Sequence, residues 1–314
     1  MIAFVFPGQG AQSIGMVDAL AAEFPQIQHR FEQASAALGM DLWELVRAGP
    51  IEQLNLTQNT QPALLAASVA TWDIWQALGG GMPALMAGHS FGEYSALVCA
   101  GALAFEDAVT LVADRGRFMQ EAVPGGEGAM AAVLGLDREA LDLICQEAST
   151  AGSVQCANLN APGQVVISGS KTGVEQASVL AKAGGAKKVI PLAVSVPAHS
   201  ALMRAAAQKF EARIAGVAVA SPQATVVHNV DVMPHSEPLE IRAALVKQLY
   251  SPVRWQETME YFAREGVTRI FECGPGKVLA PLIKRCAPAI ETTSLTGPAE
   301  INAALATIGV IPHE

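Results

Sequence analysis

Cysteine, aromatic residues and charge are all scarce in this 314-residue chain: five cysteines, 5% Phe, Trp and Tyr, and 16% charged side chains. The cysteines are Cys99, Cys145, Cys156, Cys273 and Cys286, an odd number with no CxxC pair among them. A disulfide framework and a zinc cluster are both excluded, leaving the reduced thiols expected of a cytoplasmic protein. Charges sum to −9, and no long run of lysine or arginine occurs. Neither nucleic acid nor an anionic membrane surface is therefore an expected partner. No apolar stretch reaches the roughly 18 residues of a membrane span, because His89, Glu93 and Asp107 interrupt the best candidate. The opening run Ile2–Phe6 has no basic residues before it, is too short for a signal-peptide core, and meets Pro7-Gly8 at once. Internal repeats and low-complexity tracts are absent too.

Apolar material is plentiful, at 51% of residues, so disorder is excluded and a substantial core is expected. The length suits one large domain, or a large one with a smaller companion. Ile2–Phe6 and Ala84–Ala87 read as short buried strands. Helical patterns lie near Met16–Phe24, Gln26–Leu38, Pro62–Leu78, Phe91–Cys99 and Phe105–Ala122, with Pro62 assigned to a first helical turn. Buried strands separated by helices predict a parallel sheet covered on both faces.

From about Gly126 the pattern changes. Ala129–Leu134 reads as strand, Asp137–Ser149 as helix, Val154–Asn158 and Gln164–Ser168 as strands, Thr172–Ala183 as helix and Lys187–Leu192 as strand. That order, βαββαβ, is the ferredoxin-like arrangement. Helices near Ser200–Ile214, Leu239–Tyr250 and Trp255–Glu265, a strand at Thr268–Glu272 and a Gly274-Pro275-Gly276 turn complete the chain. The expected fold class is α/β. A large α/β-hydrolase-like domain (residues 1–126 and 195–314) carries an inserted ferredoxin-like subdomain (residues 127–194).

Gly88-His89-Ser90-Phe91-Gly92 is a G-x-S-x-G placed between a predicted strand and a predicted helix, the context that gives this motif meaning. A sharp turn there lifts the Ser90 hydroxyl off the top of the sheet, and the flanking glycines let backbone segments approach. Unpaired N–H groups at the helix start favour negative charge. The Phe91 N–H is an oxyanion donor candidate, a contact typically worth about 3–4 kcal/mol in a transition state. The plainer alternative is a serine capping an ordinary helix.

A serine nucleophile needs a base. Of six histidines, His29 and His313 are expected to be solvated, and His228 and His235 flank Asp231 in a loop without metal-ligand spacing. His199 sits in Val196-Pro197-Ala198-His199-Ser200, where a strand ends and a helix begins, the side of an α/β sheet that carries chemistry. On spacing alone it is a base candidate or an ordinary helix-terminal histidine. Arg115 is the sharper signal. At 100° per residue it shares a helix face with Ala108, Val112 and Met119, whereas Arg117 falls with Glu106, Thr110 and Glu121. A buried guanidinium must be paired, either with a protein carboxylate or with a substrate carboxylate held by its planar fork.

Phe6-Pro7-Gly8-Gln9-Gly10, Gly88-His89-Ser90-Phe91-Gly92-Glu93-Tyr94-Ser95-Ala96-Leu97, Arg115-Gly116, Ala198-His199-Ser200 and Gly274-Pro275-Gly276 follow one another in order. Together they resemble the malonyl-CoA:acyl-carrier-protein transacylases of type II fatty acid synthesis and the acyltransferase domains of polyketide synthases. The resemblance covers essentially the whole chain. It implies Ser90 as nucleophile and His199 as base, oriented by a backbone carbonyl near Gln248 rather than by an aspartate. It implies the N–H groups of Gln9 and Phe91 as oxyanion hole and Arg115 as the grip on the malonyl carboxylate. Malonyl-CoA and acyl carrier protein are the implied partners, by ping-pong transfer through a malonyl-serine ester, with no cofactor and no metal, in a monomer.

Two positions depart from the pattern. Phe91 replaces a common leucine or isoleucine, which alters packing but spares a backbone donor. Ala198 replaces a frequent serine, leaving room for a methyl-substituted malonyl group. Because carrier proteins of this pathway are typically acidic, docking on a chain of net −9 needs a local basic patch. The adjacent basic pairs Lys187-Lys188 and Lys284-Arg285 are the candidates. Three other readings remain. A serine esterase or thioesterase would use the same elbow with water as acceptor. A carrier-protein-binding scaffold would not need Ser90, His199 and Arg115 together. A nucleotide-binding protein would need a third glycine after Gly8-Gln9-Gly10.

Overall fold

The computed structural model describes residues 1–194 and 196–310. Ser195, at the expected boundary between subdomain and large domain, and His313 lie outside the described residues. Among the described residues nine strands form two sheets: β1 (Ile2–Phe6), β2 (Leu85–Gly88), β3 (Gly128–Leu134), β4 (Val154–Ala161), β5 (Gln164–Ser170), β6 (Lys188–Pro191), β7 (Thr225–Val226), β8 (Arg269–Glu272) and β9 (Glu291–Ser294). The first sheet runs β7-β2-β1-β8-β9, parallel throughout. The second runs β4-β5-β3-β6, antiparallel throughout, the order a ferredoxin-like βαββαβ unit requires. All of its strands fall between Gly128 and Pro191.

The centre of the parallel sheet is buried on both faces because β1 and β2 are apolar at every position, as a sheet with helices on both sides requires. Along β1, Phe4 and Phe6 enter one hydrophobic cluster while Ala3 and Val5 enter the other. On β2, Met86 joins the first cluster, and Leu85 and Ala87 the second. The antiparallel sheet packs its helices Arg138–Ala148 and Lys171–Ala183 on one face through Leu141, Cys145, Val174 and Ala177. Asp137 and Ser170 cap these helices, each side chain accepting the N–H three residues on.

Three expectations need correction. Pro62 is not in a first turn: its helix spans Thr57–Ala77, beginning five residues earlier. Asn59 and Thr60 side chains hold that extra turn by donating to the Gln53 and Leu54 carbonyls at 2.9 and 2.5 Å. The stretch Met16–Phe24 forms only the short helix Asp18–Ala21. Strands β7 and β9 were not expected at all: β7 has two residues, and the β9 sequence Glu-Thr-Thr-Ser is a polar edge with no apolar run to mark it. The Gly274-Pro275-Gly276 turn is closed by the buried Glu272. Its carboxylate accepts the N–H groups of Val278, Leu279 and Ala280 and the Ser294 hydroxyl. Among the described residues no helix is long and apolar enough to cross a membrane.

Candidate active site

The register of the parallel sheet decides where chemistry can sit. Phe6 pairs with Gly88, so the turns leaving β1 and β2 emerge side by side, and the His89 N–H donates to the Phe6 carbonyl at 2.9 Å. These are carboxyl ends of parallel strands. Close packing makes both elbow glycines obligatory. A Cβ on Gly88 would stand 1.8 Å from the Gly92 carbonyl carbon, and one on Gly92 would stand 2.4 Å from the Phe6 oxygen. Between them Ser90 takes φ +54°, a left-handed conformation that only a strongly determined turn imposes on a serine. Asn229 does so: its Oδ1 accepts the Ser90 N–H at 2.7 Å, and its Nδ2 donates to the Gly88 carbonyl at 2.6 Å.

Ser90 Oγ lies 2.7 Å from His199 Nε2, and His199 Nδ1 lies 2.9 Å from the backbone oxygen of Gln248. The tautomer follows from those partners. A carbonyl only accepts, so Nδ1 carries the proton and Nε2 offers its lone pair to the Ser90 hydroxyl, which donates. His199 is itself left-handed, at φ +59°, and its N–H donates to the Leu249 carbonyl at 3.0 Å. Burial and then the Arg115 charge pull its imidazole down to about 3, with the Gln248 carbonyl opposing them. No carboxylate takes the third place of a triad; the backbone oxygen does.

Arg115 lies in the helix Phe105–Glu121 and is buried with Ala108, Val112 and Met119, while Arg117 is exposed among Asp114 and Glu121. Its partners are neither of the carboxylates considered above. Nη1 donates to Gln61 Oε1 at 3.0 Å and Nη2 to Gln248 Oε1 at 2.9 Å, while the buried Nε has no partner among the described residues. Gly116 explains how Gln61 comes so near. A Cβ there would meet Gln58 backbone at 2.7 Å, so glycine alone lets the helices Thr57–Ala77 and Phe105–Glu121 cross this closely. Burial draws Arg115 below its ordinary value without threatening the charge of a guanidinium.

One cavity of about 680 Å³ brings these groups together: Gln9, Ser90, Phe91, Arg115 and His199 line it, with Ala198 beside the histidine. Met130 and Val166 of the antiparallel sheet supply part of its apolar wall. The backbone N–H groups of Gln9 and Phe91 make no hydrogen bond among the described residues. The Phe91 side chain is buried in the main core, away from that role. Every residue expected at the site is therefore in one place except the basic pairs. Lys187, Lys188 and Lys284 are exposed on the surface, and Arg285 is committed within the chain to Gln164 Oε1 and the Pro162 carbonyl, both at 2.6 Å.

His228 lies in a loop as expected, but not a solvated one. It is fully buried, 2.6 Å from Glu93 Oε1, and sits behind the elbow, whereas His235 pairs with Asp231 at 2.8 Å. Gln61, Glu93 and Asn229 were not singled out, though all three hold the site. Gln61 carries no distinguishing signal, since it closes the polar run Thr57-Gln58-Asn59-Thr60-Gln61 at the start of its helix. Among the described residues no group of three or more His, Cys, Asp or Glu side chains is placed to hold a metal ion.

A hydroxyl poised on a neutral imidazole, with donors and a cation facing the same cavity, defines a serine–histidine acyl-transfer site on an α/β fold. The acyl transferase domain family matches residues 3–290. The malonyl CoA-acyl carrier protein transacylase of Salmonella typhimurium is 53% identical over 303 residues, 96% of this chain and 98% of that protein. The Bacillus subtilis enzyme of the same name is 47% identical over 98% and 97%. The structure of the Coxiella burnetii transacylase superposes with a TM-score of 0.96 at 50% identity, over 99% and 98% of the two chains. A malonyl-transacylase solved with a type II polyketide acyl-carrier protein reaches 0.96 at 51% identity, over 98% and 99%. The chain belongs to the acyl transferase family, among its malonyl CoA-acyl carrier protein transacylases.

Proposed function

We propose that Ser90, His199 and Arg115 carry malonyl transfer from malonyl-CoA to the phosphopantetheine thiol of acyl carrier protein. The observation that carries this is the 2.7 Å contact of Ser90 Oγ with His199 Nε2 in the same cavity as a buried arginine lacking a carboxylate. Arg115 takes the malonyl carboxylate. His199 Nε2 receives the Ser90 proton as Oγ attacks the thioester carbon, and the oxyanion is met by the Gln9 and Phe91 N–H groups. The C–S bond breaks, and the proton passes to the departing thiolate of coenzyme A. The carrier thiol then attacks the malonyl-serine ester by the same steps in reverse. Nucleophile, base, oxyanion donors and carboxylate grip all come from one chain, so the reading is of a monomer needing neither cofactor nor metal, and the five free cysteines support a cytoplasmic setting. The test is intact-protein mass after mixing with malonyl-CoA alone. One malonyl adduct, discharged by added carrier protein, is expected; free malonate accumulating instead would make the protein a hydrolase.

The lowered His199 value sets the pH dependence. A base that stays neutral down to about 3 leaves kcat/KM for self-acylation level from pH 7 to below pH 5, where a solvated histidine would give an inflection near 6.5. Fold stability moves the other way. Below 6.5 the unfolded chain binds a proton at His199 that the folded chain refuses until about 3, so this residue makes stability fall with pH across that window. Rate profiles and Tm over pH 3–8 check both, and an inflection at 6.5 in the rate would overturn the buried-base account.

Carrier-protein docking is read onto Lys187, Lys188, Lys284 and Arg285, the last exposed and held by the neutral oxygens of Gln164 and Pro162, which leave its charge available. Exposed charge pairs contribute roughly 0.2–1 kcal/mol each, so reversing both Lys187 and Lys188 to Glu should raise the KM for carrier protein about two- to thirtyfold. Self-acylation by malonyl-CoA should not change. An unaltered carrier KM would remove this pair from the docking surface.

A further inference from the structure

Behind the elbow lies a polar network that the reaction steps do not use. Glu93, one turn after Ser90, is wholly buried, and its carboxylate is fully employed. Oε1 faces His228 Nδ1 at 2.6 Å, while Oε2 accepts the Asn229 N–H and Gln248 Nε2, both at 2.9 Å. Gln248 Nε2 also donates to the Ser90 carbonyl at 2.9 Å, and its Oε1 accepts from Arg115. The same residue's backbone oxygen accepts the hydrogen bond from His199 Nδ1–H.

The orientation of the Gln248 amide is forced. An arginine has only donors, so the oxygen must face Arg115; a carboxylate and a carbonyl only accept, so the nitrogen must face Glu93 and Ser90. Turned over, the amide would set N–H against N–H at Arg115. Two amide oxygens thus hold the guanidinium in place without cancelling its charge, whereas a carboxylate in their position would occupy the fork that a substrate needs. Glu93 is kept one amide away from Arg115.

We propose that Glu93 is a positioning residue for substrate selection, acting through the Gln248 side chain to aim Arg115 at the substrate carboxylate. This deepens the malonyl-transfer reading and rests on it. Glu93 touches no substrate. It sets which end of Gln248 faces Arg115, and through Asn229 it also braces the Ser90 turn. A merely structural Glu93 would affect all acyl donors alike, whereas an aiming role falls on donors that carry a carboxylate.

The experiment measures self-acylation of the full chain by malonyl-CoA and acetyl-CoA and takes the ratio of their kcat/KM values. Glu93→Met, which removes the acceptor, should cut the ratio at least tenfold. Glu93→Gln, which still offers an oxygen to Gln248 while His228 changes tautomer to suit it, should hold the ratio within about threefold. Gln248→Met should reproduce the loss, and Glu93→Met combined with it should add nothing, because the two act in series. Equal falls for both donors, a retained ratio in Glu93→Met, a tenfold loss in Glu93→Gln, or a double variant that multiplies the losses would each overturn the proposal. If Glu93→Met does not fold, Gln248→Met alone decides, since an unchanged ratio there breaks the chain of contacts. Arg115→Ala run alongside separates the two readings. If it leaves the ratio unchanged, the carboxylate grip itself fails; if it collapses the ratio while the Glu93 and Gln248 variants do not, only the aiming role fails.

Discussion

Ser90→Ala is expected to show no malonyl adduct by intact mass and at least a ~10⁴-fold fall in malonyl transfer. The size follows from what the hydroxyl does. It is the only atom of the elbow that both reaches His199 Nε2, at 2.7 Å, and opens into the cavity. Alanine removes the atom that would become the ester oxygen, so no base strength or oxyanion donation can compensate. Folding is expected to survive. The left-handed backbone at residue 90 is imposed by Asn229 and by the close approach at Gly88 and Gly92, none of which involves the hydroxyl. A Tm within a few degrees of the parent, and retained binding of malonyl-CoA to the inactive variant, would locate the loss in chemistry. An adduct forming at the parent rate would mean that another side chain is the nucleophile and would end the reading of this elbow.

That elbow was legible because backbone geometry writes itself into sequence. Where two strands deliver their turns to the same point, only glycine fits at 88 and 92, and the spacing survives as a motif. Arg115 was legible for a different reason: helical periodicity placed a charge on an apolar face, and the structure shows it buried there. Periodicity could not name its partners, because Gln61 and Gln248 reach it from residues 54 and 133 positions away. The ferredoxin-like unit showed itself through the order of its strands and helices, with strand ends displaced by up to three residues. Polar edges and two-residue strands such as β9 and β7 carry no such pattern. His228, Glu93 and Asn229 were opaque, since their meaning lies in burial. Glu93 stands within the motif itself, yet on paper it was only a charge interrupting an apolar stretch; folding turns that charge into the centre of a hydrogen-bonded network.

Arg115→Ala is expected to reverse donor preference rather than abolish acylation. Removing one partner of a buried, hydrogen-bonded charge pair typically costs about 3–4 kcal/mol, so kcat/KM for malonyl-CoA should fall about 10²–10³-fold. Acetyl-CoA, which brings no carboxylate, loses no partner and should react at least as well as with the parent chain. Arg115→Lys should recover only part of the malonyl rate. A lysine supplies the charge but cannot hold the Gln61 and Gln248 oxygens and a carboxylate with one planar fork. A second consequence is independent of substrate binding. The Arg115 charge is one of the two main causes of the lowered His199 value, so Arg115→Ala should move the acid limb of acetyl-CoA self-acylation upward in pH, towards the 6.5 of a free imidazole. Burial still holds it below that value, because desolvation is the larger cause. The same cation thus selects the acyl group and keeps the base unprotonated. A bound malonyl carboxylate would offset its charge, raising the basicity of His199 when a substrate with the right functional group is in place.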